Sequence, residues 1–301
     1  MVIKAEKVTK AYNGVKVVNG IDLTINKGEI FGFLGRNGAG KSTFINILTG
    51  IIQPSSGSFT LLGGDVKQID VKRRIGVMPD YSTFYGSSTA LHHLRFFSSL
   101  SGNPASKEAC IEALDAVGLA EHANKKVGKF SFGMKKKLGV AQAIIHDPEL
   151  LFLDEPTSGM DAESAIQIQQ LIKSLHNMGK TIFLTSHNLD EVEKLCTRIA
   201  IMKEGRIVKI GTMDELRAYY RTTIIVKIKH GPIPLSEEQK LYDWLQGKGK
   251  GKDIQLGEKT LEITVDEERK IAEITRAFTA CKTDIYRVEV EEPTLEEIFL
   301  E

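Results

Sequence analysis

Four short runs along the chain are apolar without alternation: Ile30-Phe-Gly-Phe-Leu34, Leu150-Leu-Phe-Leu153, Thr181-Ile-Phe-Leu-Thr185 and Ile199-Ala-Ile-Met202. Runs of this length that never alternate with polar residues predict strands buried on both faces, as in a parallel sheet. Between them the spacing turns helical. Ile166, Ile168, Leu171, Ile172 and Leu175 recur at largely helical intervals over 162–178, and a helix over 41–49 follows a glycine loop. Strands alternating with helices predict an α/β domain. Beyond residue 220 the pattern changes. It predicts a strand over 222–229, a helix over 236–246, two strands around Gly257-Glu258, a helix over 267–280 and a strand over 283–290. A short helix over 294–300 is predicted after Pro293. A helix-like segment, 212–220, precedes the change, so two domains are expected, 1–219 and 220–301.

Charge sharpens that boundary. Residues 1–219 carry 27 basic and 22 acidic side chains, a net of +5, and residues 220–301 carry 13 and 17, a net of −4. The formal charge of the whole is only +1, which argues against a nucleic-acid coat or a strongly basic membrane-surface protein. Cys110, Cys196 and Cys281 are odd in number and far apart, as expected of reduced thiols and not of a disulfide or zinc framework. No run approaches the roughly 18–20 apolar residues that span a bilayer, and the N-terminus lacks the apolar core of a secretory signal. A soluble, intracellular chain is expected, with any membrane span supplied by another chain. The tract Gly247-Lys-Gly-Lys-Gly-Lys252 is expected to be a solvated loop.

Gly35-Arg-Asn-Gly-Ala-Gly-Lys-Ser42 fits G-x-x-x-x-G-K-[ST], placed after a buried strand and before a helix. The spacing suits a triphosphate, which must be wrapped closely by backbone N–H groups that glycine allows to approach. The helix N-terminus adds further N–H groups and a partial positive charge. Lys41 would reach the β- and γ-phosphates, and the Ser42 hydroxyl would ligate Mg²⁺. The apolar strand 150–153 runs into Asp154 and Glu155. Asp154 is placed as the Mg²⁺ carboxylate beside such a loop. Glu155, on the other face of the pleat, could orient and deprotonate water. Alone, an acidic pair or a histidine after a strand is more often structural. His187, after the strand at 181–185, could also hydrogen-bond a γ-phosphate.

These residues together resemble the ATP-binding cassette of ABC transporters, over about residues 2–218. Tyr12 lies where the cassette has an aromatic that stacks on adenine. Residues 35–43, including Gly35, Asn37, Gly38, Ala39, Gly40, Lys41, Ser42 and Thr43, match the phosphate loop GxxGxGKST. Asp154 and Glu155 match the magnesium aspartate and catalytic glutamate. Ser158-Gly-Met-Asp161 resembles the loop that crosses to a partner cassette, and His187 the switch histidine. The signature LSGGQ is represented by Phe130-Ser-Phe-Gly-Met134. Ser131 and Gly133 match, while Phe132 replaces a glycine and Met134 a glutamine, a divergence familiar in bacterial exporter cassettes. Asp80 stands where the family has glutamine or glutamate touching Mg²⁺ or the attacking water. The C-terminal Glu292-Pro-Thr-Leu-Glu-Glu-Ile-Phe-Leu300 is similar to the tails of drug-, bacteriocin- and polymer-exporting cassettes.

The resemblance implies an α/β P-loop NTPase cassette with a helical signature subdomain at about 81–145, plus the small C-terminal α+β domain. It implies ATP and Mg²⁺ as cofactors and an exporter ATPase in which two cassettes close head to tail on ATP. Ser131, Gly133 and Asp161 would complete the partner's site. A membrane permease would dock at 81–129, holding the chain at the cytoplasmic face of the cell membrane, with no nucleic acid involved. Two other readings remain: a soluble ABC-type ATPase acting on the ribosome or DNA, and a weakly hydrolysing regulatory cassette. Against a GTPase or small-molecule kinase using the same loop, the guanine-reading N-K-x-D is absent from the sequence and the series Asp154, Glu155 and His187 has no role in such an enzyme.

Overall fold

The four unalternated runs are neighbouring strands of a single sheet. They belong to a computed structural model that describes residues 1–80, 84–102, 104–220, 224–247 and 252–291. Contacts divide the chain into two units, Met1–Met213 and Asp214–Glu301.

The first unit opens with β1 (Ile3–Tyr12), β2 (Val15–Ile25), β3 (Ile30–Leu34), α1 (Lys41–Leu48) and β4 (Ser56–Leu61). It continues through α2 (Ile69–Arg73), β5 (Ile75–Met78), α3 (Ala90–Leu100), α4 (Lys107–Ala116) and α5 (Phe132–Ile144). Then come β6 (Leu150–Asp154), α6 (Ala162–Asn177), β7 (Thr181–Ser186), α7 (Leu189–Leu195), β8 (Arg198–Lys203) and β9 (Arg206–Gly211).

The main sheet has the order β5-β6-β7-β3-β8-β9, parallel except for β9. Its register sets Leu34 beside Ser186 and Ile201, and Asp154 beside Thr185. The carboxyl ends of β5, β6, β7 and β3 therefore meet along one edge, where open α/β sheets bind their ligands. The β8–β9 hairpin turns through Glu204 and Gly205, both at positive φ, as a two-residue turn of that hand requires. Below the edge, Phe33 stacks on Phe44 of α1 with centroids 5.3 Å apart and meets Phe183 at 5.5 Å. These rings are fully buried, and they fix α1 against the sheet.

A second sheet, β2-β1-β4, is antiparallel. The sequence reading did not anticipate it. In β1, Ile3, Ala5 and Val8 are buried, but Lys7 adopts φ +50° and the register with β2 shifts between Ala5 and Val8. That irregularity breaks the two-residue period by which a half-buried strand is read.

The second unit contains α8 (Met213–Tyr220, from the junction), β10 (Ile224–His230), α9 (Leu235–Gly247) and β11 (Lys252–Leu256). It ends with β12 (Thr260–Val265), α10 (Arg269–Ala280) and β13 (Ile285–Glu291). The antiparallel sheet β11-β12-β10-β13 shares its core with the helices, through Val226, Ile228, Ile263, Leu241, Leu245 and Phe278. The expected helix at 294–300 and most of the glycine–lysine tract lie outside the described residues. Among the described residues, no helix is long and apolar enough to cross a membrane.

Candidate active site

The loop between β3 and α1 is shaped by its backbone. Gly38 takes φ +83° and Gly40, the N-cap of α1, φ +107°. A Cβ on Gly40 would stand 2.4 Å from the Val17 carbonyl oxygen, so only glycine fits. The Ala39 N–H donates to Arg36 O, and the Gly205 N–H donates to Ala39 O at 3.1 Å, which ties the loop to the β8–β9 turn. Arg36, Asn37 and Gly38 are exposed, as is Ser42, while Gly35, Ala39 and Lys41 are buried. The Lys41 ammonium donates to Gly35 O at 2.6 Å and lies 3.7 Å from Glu155 Oε1.

Asp154 ends β6, 4% exposed, and accepts a hydrogen bond from Thr185 Oγ1 at 2.5 Å. The same hydroxyl accepts from the Glu155 N–H at 3.0 Å. Glu155 is not the next residue of the pleat, as the sequence suggested. It has left the strand for the left-handed region, φ +52°, and the turn, not strand alternation, sets its direction. Its carboxylate lies between Lys41 on Oε1 and His187 on Oε2, where Nδ1 donates at 2.8 Å. A carboxylate only accepts, so this bond fixes the proton on Nδ1. The phosphate-loop lysine, both carboxylates and the histidine thus meet at one edge.

Asp80 lies two residues past β5 and pairs with a lysine of α5. Its Oδ1 accepts from Lys136 Nζ of α5 at 2.7 Å. Ser131 caps α5, its hydroxyl accepting from the Met134 N–H at 3.2 Å. Asp161 caps α6 through the Ser164 N–H, and those bonds hold its carboxyl below the usual range. Gly133 has open space where a Cβ would lie. Tyr12 is exposed, with the Lys10 ammonium over its ring. Among the described residues no hydrogen bond or ion pair joins Tyr12, Ser131, Gly133 or Asp161 to residues 35–43.

Sequence reasoning missed Thr185, Lys136 and Glu191. Glu191 of α7, 2% exposed, accepts from Thr157 Oγ1 at 2.6 Å and Ser186 Oγ at 2.7 Å. Burial pushes its carboxyl above the usual range, with a smaller push from the charge of Glu155; the two hydroxyl bonds oppose them. Lys136 carried a signal that could have been read: it shares a helical stripe with the buried Val140 and Ala143, four and seven positions on.

Asp154 and the Ser42 hydroxyl supply the hard oxygen donors that suit Mg²⁺, an ion usually held by one or two carboxylates with substrate phosphates and water completing the shell. No group of three or more His, Cys, Asp or Glu residues that could hold a metal occurs among the described residues.

Residues 18–158 match the ABC transporter family, and residues 211–301 match the C-terminal domain of DrrA1-3-like ATP-binding proteins. The linearmycin resistance ATP-binding protein LnrL of Bacillus subtilis (strain 168) is 34% identical over 99% of this chain and 97% of its own length. This chain belongs to the ABC transporter family. It is an ATP-binding ATPase subunit of the transporter type, with exporter-type relatives. The bacitracin transport ATP-binding protein BcrA of Bacillus licheniformis is 33% identical over 99% of this chain and 96% of its own. The daunorubicin/doxorubicin resistance ATP-binding protein DrrA of Streptomyces peucetius is 30% identical over 99% and 91%. Among solved structures, an ATP-binding subunit of an ABC transporter superposes with a TM-score of 0.67 at 25% identity, covering 73% of this chain and 93% of the other. A dimeric post-hydrolysis ATP-binding cassette bound to ADP and Pi has the same fold, with a TM-score of 0.65 at 24% identity, covering 70% and 98%.

Proposed function

We propose that the chain is the motor of a membrane exporter, and that it hydrolyses Mg²⁺-bound ATP with Glu155 as the general base. The observation that carries this reading is the meeting of Lys41, Asp154, Glu155 and His187 at the carboxyl edge of the sheet. Residues 35–43 wrap the phosphates with N–H groups, and Lys41 neutralises their charge. Asp154 and Ser42 would hold Mg²⁺, which supplies charge neutralisation when bound. Glu155, aimed by its turn and by His187, orients and deprotonates water. With Nδ1–H given to Glu155, His187 bonds a phosphate oxygen through Nε2 only when that nitrogen also carries a proton, since a bare ring nitrogen and a phosphate oxygen are both acceptors.

Tyr12 offers its exposed ring to adenine. Ser131, Gly133 and Asp161 lie on helix starts without bonds to their own chain's phosphate loop, which suits completion of a second cassette's site head to tail. ATP then joins two cassettes, and hydrolysis releases them. Tyr85 and Phe96, 62% and 41% exposed with rings 6.2 Å apart, are suited to docking a permease at the cytoplasmic face of the membrane. Residues 81–83, the start of that expected surface, lie outside the described residues. The names of LnrL, BcrA and DrrA support antibiotic-like cargo over import.

Steady-state ATPase assays of the wild type and Glu155→Gln test the reading. Loss of turnover with ATP binding kept, and an ATP-dependent dimer of Glu155→Gln on size exclusion, are the expected results. Equal turnover in both proteins would sink it.

A further inference from the structure

Lys136 is 4% exposed, and its ammonium has two close oxygen partners: Asp80 Oδ1 at 2.7 Å and the Glu155 carbonyl oxygen at 2.9 Å. The ring of Phe132, one turn earlier on α5, lies 5.8 Å from the same nitrogen. A buried ammonium is costly to keep unless such partners compensate it. A lysine meant only to fill space in α5 would be better replaced by methionine or leucine. The charge joins three segments far apart in sequence: residue 80 beyond β5, the helix that Ser131 caps, and the turn that follows β6.

The bond to Glu155 falls on a residue whose backbone is already unusual. Its N–H is held by Thr185 Oγ1 and its carbonyl by Lys136, so the peptide groups on both sides of its left-handed Cα are clamped. Clamping both fixes the Cα–Cβ vector, and with it the position from which the carboxylate meets Lys41 and His187. A misplacement of about 1 Å at such a group can cost on the order of a hundredfold in rate.

We propose that Lys136 is a positioning residue for hydrolysis: by holding the Glu155 carbonyl and the Asp80 carboxylate together, it makes the start of α5 and the turn bearing the base one mechanical piece. The proposal rests on Glu155 being the base, as argued above. Residue 136 is thereby the link through which any displacement of α5 reaches the carboxylate. Asp80 is the counter-charge that keeps the ammonium in place.

The test uses the full-length chain and the variants Lys136→Met, Lys136→Arg and Glu155→Gln. In Lys136→Met, kcat for ATP is expected to fall on the order of tenfold or more with KM changed less than about threefold; Lys136→Arg is expected to recover most of the loss. Independently of activity, amide hydrogen exchange on the nucleotide-free protein is expected to quicken around residues 154–158 in Lys136→Met and to leave β3 and β7 protected. Should Lys136→Met fail to fold, Lys136→Gln, which keeps a donor without the charge, takes its place with the same readouts. Wild-type kcat and exchange in the folded variant, beside an inactive Glu155→Gln, would overturn the role of Lys136 alone. A kcat loss matched by loosening throughout the unit, without rescue by arginine, would also overturn it, because that is the result of a merely structural staple. An active Glu155→Gln would instead overturn the reading beneath it.

Discussion

His187 donates its Nδ1 proton to Glu155 Oε2 across 2.8 Å while its own side chain remains 53% exposed. A half-open ring contributes little to the core, so the bond orients the carboxylate more than it stabilises the fold. His187→Ala is expected to lower kcat about a hundredfold, the scale of a lost acid–base partner, with the melting midpoint nearly unchanged. Steady-state kinetics beside a thermal melt check this, and a parallel fall in stability would contradict it.

Thr185 serves both carboxylate residues through one hydroxyl, donating to Asp154 and accepting from the Glu155 N–H. Thr185→Val keeps the shape and removes both bonds. It is expected to cost about 1–3 kcal/mol, because the buried Asp154 carboxylate loses a donor while the Glu155 N–H keeps its bond to the Thr185 carbonyl oxygen at 3.2 Å. Denaturant unfolding measures that loss, and ATPase turnover is expected to drop with it.

Gly40→Ala places a methyl group against the Val17 carbonyl at a φ that side chains rarely adopt. Destabilisation above about 1 kcal/mol is expected, together with loss of ATP binding, since the loop must move to admit the methyl. Calorimetric titration with Mg²⁺-ATP reads the second effect directly.

Glu191 gives the fold a pH dependence of definite sign. Burial raises its pKa in the folded chain, whereas the unfolded chain ionises it in the ordinary carboxylate range. Between those two points the native state binds more protons, so this residue's contribution to stability falls as pH rises across the interval. Glu191→Gln is expected to flatten that part of the stability profile. Chemical denaturation at a series of pH values, wild type against variant, shows whether it does.

Much of this site was legible because its residues sit where apolar runs stop. β3, β6, β7 and β8 are buried on both faces, so their sequences carry no alternation to confuse. Asp154 ends β6, Glu155 and His187 directly follow β6 and β7, and Lys41 lies one glycine loop beyond β3. What escaped depended on the third dimension. The irregularity at Lys7 hid β1 by breaking its period. Lys136 went unnoticed because a charged helical residue normally faces water, and only its alignment with Val140 and Ala143 says otherwise. Asp80 could be placed near the edge from the sequence, but its ion pair could not, since 56 residues separate the partners.

The left-handed backbone of Glu155 has a consequence for anyone who tries to make this protein sturdier. A non-glycine residue held there carries on the order of 1 kcal/mol of strain, and glycine would relieve it at once. Screening for heat resistance alone would therefore admit Glu155→Gly wherever that relief outweighs the lost contacts to Lys41 and His187, and on the role proposed for Glu155 the molecule so selected would no longer turn over ATP. Libraries built for robustness should leave position 155 untouched and look for gains in the packing around Phe33 and Phe44 instead.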